Sequence, residues 1–210
     1  MNIEKRRDFN EEAKQWDANP GRVKLANDVA DAILSSTELS SDMNALDFGC
    51  GTGLVTLRLQ PLVRTITGID SSEGMLDVLR GKVRAGGLTN VQTKLVDFEK
   101  GDRIEGAYDL IVSSMTLHHV PDTAALFRQW YYLLVTGGRL CFADLDSEDG
   151  SFHGDNIGVF HLGFDRSKLK ALLQKVGFLD ILDTAATTMI KDLPGKGKKE
   201  FSIFLITARR

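Results

Sequence analysis

Three kinds of residue in this chain are spaced so that they could act on one ligand. The first is a run of glycines at alternate positions, Gly49, Gly51 and Gly53, behind an acid in Ala45-Leu46-Asp47-Phe48-Gly49-Cys50-Gly51-Thr52-Gly53-Leu54. Glycine has no side chain and tolerates positive φ, so this turn can bring the main chain into contact with a ligand. Placed at a helix N-terminus, it also offers free N–H groups to something anionic. The second is a series of acids closing apolar runs: Asp47 itself, Asp70 after Thr65-Ile66-Thr67-Gly68-Ile69, and Asp97 after residues 90 to 96. A lone Asp would read as a turn or capping residue, but three behind successive strands, with a glycine turn among them, indicate a binding edge. The third is the set of four histidines, His118, His119, His153 and His161. Imidazole is the side chain best suited to accept a proton near neutral pH, although any single one could equally be structural.

The spacing of the glycines narrows the ligand. A dinucleotide fingerprint needs a third glycine where this chain has Leu54, and no Gly-Lys-Ser/Thr follows the turn as a phosphate loop requires. A nicotinamide oxidoreductase is further disfavoured by the absence of a Tyr-x-x-x-Lys pair. What remains, Asp-x-Gly-Cys-Gly-Thr-Gly, resembles motif I of the class I S-adenosylmethionine-dependent methyltransferases, and the order of motifs extends the resemblance over about residues 45 to 209.

That resemblance implies a role for each part. Gly49, Gly51 and Gly53 would let the backbone approach the methionine portion of S-adenosylmethionine, and Asp47 would act on its amino end, directly or through water. Asp70 would take both ribose hydroxyls, since a carboxylate can accept two hydrogen bonds at once. Asp97 would accept from the adenine amino group, Phe98 with Ser71 or Met75 would flank the ring, and Ser113 would contact the methionine amino group. Beyond Ser113 the chain lacks the Asn/Asp-Pro-Pro-Tyr-like stretch of methyltransferases acting on DNA bases or glutamine side chains. Its Leu117-His118-His119-Val120 is similar instead to the small-molecule branch grouped with quinone and sterol methyltransferases. A sulfonium donor is already activated, so the protein mainly has to hold the nucleophile in line and exclude water; no metal is called for. Among possible bases His153 and His119 rank first, His118 and His161 after them. A non-catalytic protein that senses S-adenosylmethionine would carry the same cofactor motifs and is the alternative.

These residues need a scaffold, and the hydrophobic pattern supplies one. A polar helix to about Asp17 with Phe9, Ala13 and Trp16 at helical spacing is broken by Asn19-Pro20-Gly21, and a second helix runs from about Arg22 to Ser35. Strands are then expected at 45–48, 65–70, 90–96, 108–113 and 139–145, with helices after the glycine turn, at 73–85 and at 124–135. Residues 146 to 166 have no clear period, and a segment that long in a compact domain is usually functional or disordered. A helix at 167–176 precedes two strands, 178–190 and 200–207, whose short link through Pro194 and Gly195 makes them antiparallel. The fold class is therefore α/β, a doubly wound and mainly parallel Rossmann-like sheet with an antiparallel last strand. One domain over residues 1–210 is expected, with 1–44 as a helical cap and 45–210 as the core. The acceptor pocket should be formed by the N-terminal helix, the His118-His119 loop and a lid over 144–164 bearing Phe152, Phe160 and Phe164.

Composition bounds the setting. The chain of 210 residues is 42% hydrophobic and 26% charged with a net charge of −3, and its pI near 5.8 and mean hydropathy of −0.12 describe a soluble domain able to bury a core. A balance on the acidic side argues against a nucleic-acid footprint. No apolar run approaches the roughly 20 residues that span a bilayer, and the polar start lacks an export signal. With Cys50 and Cys141 forming no disulfide framework, a reducing cytoplasm is the expected compartment.

Overall fold

The computed structural model describes residues 8–97 and 100–210. Seven strands form one sheet in the order β3-β2-β1-β4-β5-β7-β6: β1 Asn44–Phe48, β2 Thr65–Asp70, β3 Val91–Leu95, β4 Tyr108–Ser114, β5 Leu134–Leu145, β6 Leu179–Leu193 and β7 Gly197–Arg209. Pairing is parallel from β3 through β5, and β7 runs antiparallel to both β5 and β6. The strand order reverses between β1 and β4, so ligands are expected at the carboxyl ends there. The helices are α1 Phe9–Glu12, α2 Pro20–Ser36, α3 Leu54–Leu59, α4 Glu73–Ala85, α5 Thr123–Leu133 and α6 Arg166–Val176. Asn19 caps α2 by accepting from the Gly21 and Arg22 amides, with Pro20 in the first turn where its missing N–H costs nothing. Ser72 caps α4, and Gly177 ends α6 at φ +115°.

Alternation along the strands splits the core into two layers. Leu140 and Phe142 of β5 join Phe48, Phe127, Trp130 and Leu173 on the face covered by α5 and α6. Cys141 and Ala143 point the other way, to Val29, Ile33, Val55 and Leu59 of α2 and α3. Each strand from β1 to β5 follows the same pleat, and this decides which strand-end residues reach a common cleft.

The last two strands run further than expected, to Leu193 in β6 and from Gly197 to Arg209 in β7, and two other boundaries differ in kind. The segment expected as one helix to Asp17 is α1 followed by a 3₁₀ helix, Ala13–Ala18, and β5 begins at Leu134 rather than Arg139 because Leu134 pairs with Tyr108 across a register shift. Among the described residues no helix is long and apolar enough to cross a membrane.

Candidate active site

A cleft of about 1360 Å³ runs along the carboxyl edge of the sheet. Its two halves have opposite chemistry. Under the β1, β2 and β3 ends lie Asp47, Asp70 and Asp97; past β4 and β5 and beside the end of β6 lie His118, His119, His153 and Lys191.

In the acidic half the glycines divide the work. All three have positive φ, +70°, +53° and +84° for Gly49, Gly51 and Gly53. A methyl group on Gly53 would meet Leu79 Cδ1 at 2.3 Å, and one on Gly49 would meet Thr116 at 2.2 Å, whereas one on Gly51 would meet nothing within 4 Å. Gly53 is thus a packing glycine that lets α4 approach the turn, and it does not line the cleft; Gly51 faces the open space. The Gly51 amide donates to Asp70 Oδ2 at 2.8 Å and the Ser72 amide to Oδ1 at 2.9 Å, which fixes the carboxylate while leaving lone pairs on both oxygens. Asp47 is 1% exposed and accepts from Thr56 Oγ1 at 2.5 Å. Burial, opposed by Thr56 and reinforced by the charge of Asp70, pushes Asp47 up to about 7, and burial likewise raises Asp70 against the pull of the Ser72, Gly51 and Ser71 amides. Two facing acids of this kind call for a positive or hydrogen-bond-donating partner.

The other expected cofactor residues are placed unevenly. Ser71 and Met75 line the cleft. Asp97 lines it too, two residues past β3, where its carboxylate also meets Lys100 Nζ at 2.9 Å; Phe98 lies outside the described residues. Ser113 does not reach the cleft: its hydroxyl donates to the Phe48 carbonyl at 2.9 Å. The pleat explains this, because Ser113 shares the Ile111 face while Ser114 shares the face of Asp47, and it is Ser114 that lines the cleft.

In the basic half the imidazoles cluster. Ring centroids of His118 lie 4.2 Å from His119 and 5.0 Å from His153, with His119 and His153 5.8 Å apart. His118 Nδ1 is 2.7 Å from Asp144 Oδ1, and Asp144, fully buried on β5, also accepts from the His118 and Leu145 amides. Burial alone would raise Asp144, but the His118 ring and these donors hold it below the usual carboxylate range. His119 Nδ1 meets the Gly158 carbonyl at 2.7 Å. His161 is turned away, its Nε2 2.9 Å from the Val120 carbonyl and its ring against the buried Phe164. Phe164 belongs to the core, so of the lid aromatics Phe152 and Phe160 line the cleft and Phe164 does not.

The cap closes the front. Asn10 Oδ1 accepts from Ser72 Oγ and the Gly74 amide, and Asp17 accepts from Thr52 Oγ1 at 2.6 Å while pairing with Lys82 at 2.5 Å. These contacts tie the N-terminal segment to the glycine turn and α4, and they set Phe9 against His119 and Arg22 over Trp16. The 146–165 segment is fastened as well, through Phe160 N to the His118 carbonyl and Lys191 Nζ to the Phe152 carbonyl. Sequence reasoning missed Asp144 as the partner of His118, although an acid closing a strand was a signal already used for Asp70. It also missed Met115, which lines the cleft at φ +56°, a conformation uncommon outside glycine, and Met189 to Lys191, for which no local signal exists.

Comparison with known proteins agrees with this architecture. A family model described as a methyltransferase domain matches residues 45–138. Over 137 residues the chain is 35% identical to an uncharacterized methyltransferase of Schizosaccharomyces pombe, covering 59% of this chain and 48% of that protein. Over 141 residues it is 28% identical to the ubiquinone biosynthesis O-methyltransferase of Coxiella burnetii, covering 66% and 60%. The chain thus spans about half to three-fifths of the length of these relatives. Phosphoethanolamine N-methyltransferase 2 of Haemonchus contortus, solved in complex with S-adenosyl-L-methionine, is similar in fold at a TM-score of 0.71 and 15% identity over 96% of this chain and 60% of that one. The matched stretch carries the glycine turn and the acids, while residues 8–44 and 139–210 supply much of the lining of the basic half.

Proposed function

We propose that this chain transfers a methyl group from S-adenosylmethionine to a small-molecule acceptor, with the cofactor held in the acidic half and the acceptor in the basic half. The observation that carries this is the pair Asp47 and Asp70 around an open Gly51. A buried acid raised to about 7 by burial and by a neighbouring carboxylate fits an ammonium group, and the open space in front of Gly51 fits a close backbone approach. Asp70 would then take the ribose hydroxyls, Asp97 the adenine amino group, and Ser71 and Met75 the ring, as the resemblance implies. The cofactor supplies a methyl carbon activated by a positive sulfur. The chain's own residues orient the two molecules, keep water out with the N-terminal segment and the 146–165 segment, and accept a proton in the cluster of His118, His119 and His153. Residues 8–44 act as the cap of one catalytic unit. The net charge of −3 and the aromatic walls favour a small molecule over a nucleic acid, and buried free thiols at Cys50 and Cys141 suit a reducing cytoplasm.

The test is calorimetry with S-adenosylhomocysteine, followed by incubation with methyl-labelled S-adenosylmethionine and a metabolite extract. Wild type should bind, and Asp70→Ala should lose two hydrogen bonds to a charged acceptor worth about 1.5–3 kcal/mol each. Label should enter the small-molecule fraction. Unchanged affinity in the variant would remove Asp70 from the site, and binding with no label transferred to any fraction would turn the reading to a sensor.

A further inference from the structure

We propose that His118, oriented by Asp144, takes the proton from an acceptor that carries a phenolic or enolic hydroxyl. This rests on the methyl-transfer reading above and adds the acceptor class and the base. His118 is 2% exposed yet borders the cleft. Its Nδ1 is committed to Asp144 at 2.7 Å, so the nitrogen on the opposite side of the ring, Nε2, is the one left for the cleft. A buried carboxylate behind Nδ1 selects the tautomer with the proton on that nitrogen and compensates a positive charge on the ring, the division of labour expected of a carboxylate-oriented base. The titratable groups facing the ring are Asp144 from β5, His119 beside it and His153 from the segment after β5.

The substrate class follows from what surrounds the pair. Around the basic half stand Phe9, Trp16, Phe152, Phe160 and Met189, with Lys191 among them. Such walls suit a flat, apolar body, and a cationic amine would find its carboxylates at the other end of the cleft. A carboxylate acceptor is already deprotonated at neutral pH and needs no base. A hydroxyl on a conjugated carbon fits both facts: it carries a proton to lose, and its anion is stabilised among imidazoles and an ammonium. The O–H pair stays on oxygen and the proton becomes Nε2–H of His118. Oxygen then forms its bond to the methyl carbon as the carbon–sulfur bond breaks and its pair returns to sulfur. The imidazolium later gives its proton to water.

The test uses para-nitrophenol, whose phenolate is yellow, added to the full-length protein saturated with S-adenosylhomocysteine and buffered below the phenol's own pKa. The bound probe should show a phenolate fraction about tenfold above free solution, one unit of proton affinity. His118→Asn should abolish this shift and Asp144→Asn should reduce it, with S-adenosylhomocysteine affinity measured on each protein as the check of folding. If His118→Asn is unstable, His118→Gln serves as the second variant, and its phenolate band, followed from acid to neutral pH, should match free solution. A probe that fails to bind, or binds and stays protonated, while S-adenosylhomocysteine binds normally, overturns this inference and leaves methyl transfer standing. Failure of S-adenosylhomocysteine to bind overturns the parent reading.

Discussion

Acidifying the solution from pH 7 to pH 5 should weaken S-adenosylhomocysteine binding by about fiftyfold, through Asp47. In the ligand-free protein that carboxyl is pushed up to about 7, first by burial and then by the charge of Asp70. A ligand ammonium beside it stabilises the ionised form, so below pH 7 a proton has to leave before the ligand can bind. The first pH unit below 7 therefore costs a factor of about five, and each further unit approaches a factor of about ten, about 1.4 kcal/mol. The sign is fixed: affinity rises with pH toward 7, then levels until the ligand's own α-amino group begins to lose its proton near about 8. At pH 7 Asp47 is about half protonated, so binding should release about half a proton. Calorimetry in two buffers of different ionisation heat reads that number directly. Asp47→Asn removes the titrating group and should flatten the dependence to whatever slope Asp70, raised in the same direction by burial, contributes. A wild-type affinity that stays constant between pH 5 and 7, with no proton released, would refute the placement of an ammonium at Asp47.

Two further outcomes separate packing from binding in the same turn and cap. Gly53→Ala should cost stability, about 1–2 kcal/mol for a left-handed backbone plus about 1–3 kcal/mol for the clash with Leu79, read by urea unfolding; Gly51→Ala, also left-handed at φ +53° but meeting nothing within 4 Å, should lose only the backbone part of about 1–2 kcal/mol, yet lose S-adenosylhomocysteine binding because its methyl group enters the cleft. Asp17→Ala releases both Thr52 and Lys82 and should speed hydrogen exchange in residues 8–19 while leaving the exchange of β4 and β5 unchanged; equal exchange in the cap would show that other contacts hold it.

The parts of the site legible in the sequence are those whose function is local. A glycine turn needs only its own residues, and Asp70 closes β2 because the same six residues make the strand, so both were readable, as was α4 over residues 73–85. The rest depends on partners far along the chain. Ser113 and Ser114 differ by one step of the pleat, and only the register of β4 against β1 decides which of them faces Asp47. The bond between Asp144 and His118 crosses 26 positions, and the ranking of His119 over His118 could not anticipate it. The early start of β5 comes from one pairing with Tyr108 that overrides an apolar stretch readable as helix.

The position of β7 bears on how the chain reaches this state. Residues 197–209 form the strand that lies between β5 and β6, with Phe204 opposite Asp144 and Ile206 opposite Phe142. Until that stretch has left the ribosome, β5 has an open edge, and the carboxylate behind His118 stands next to water rather than inside a sheet. Synthesis therefore delivers the acidic half of the cleft first and the basic half last. A nascent chain halted before residue 197 could shape a cradle for the nucleoside while lacking the dry wall that makes Asp144 a useful neighbour.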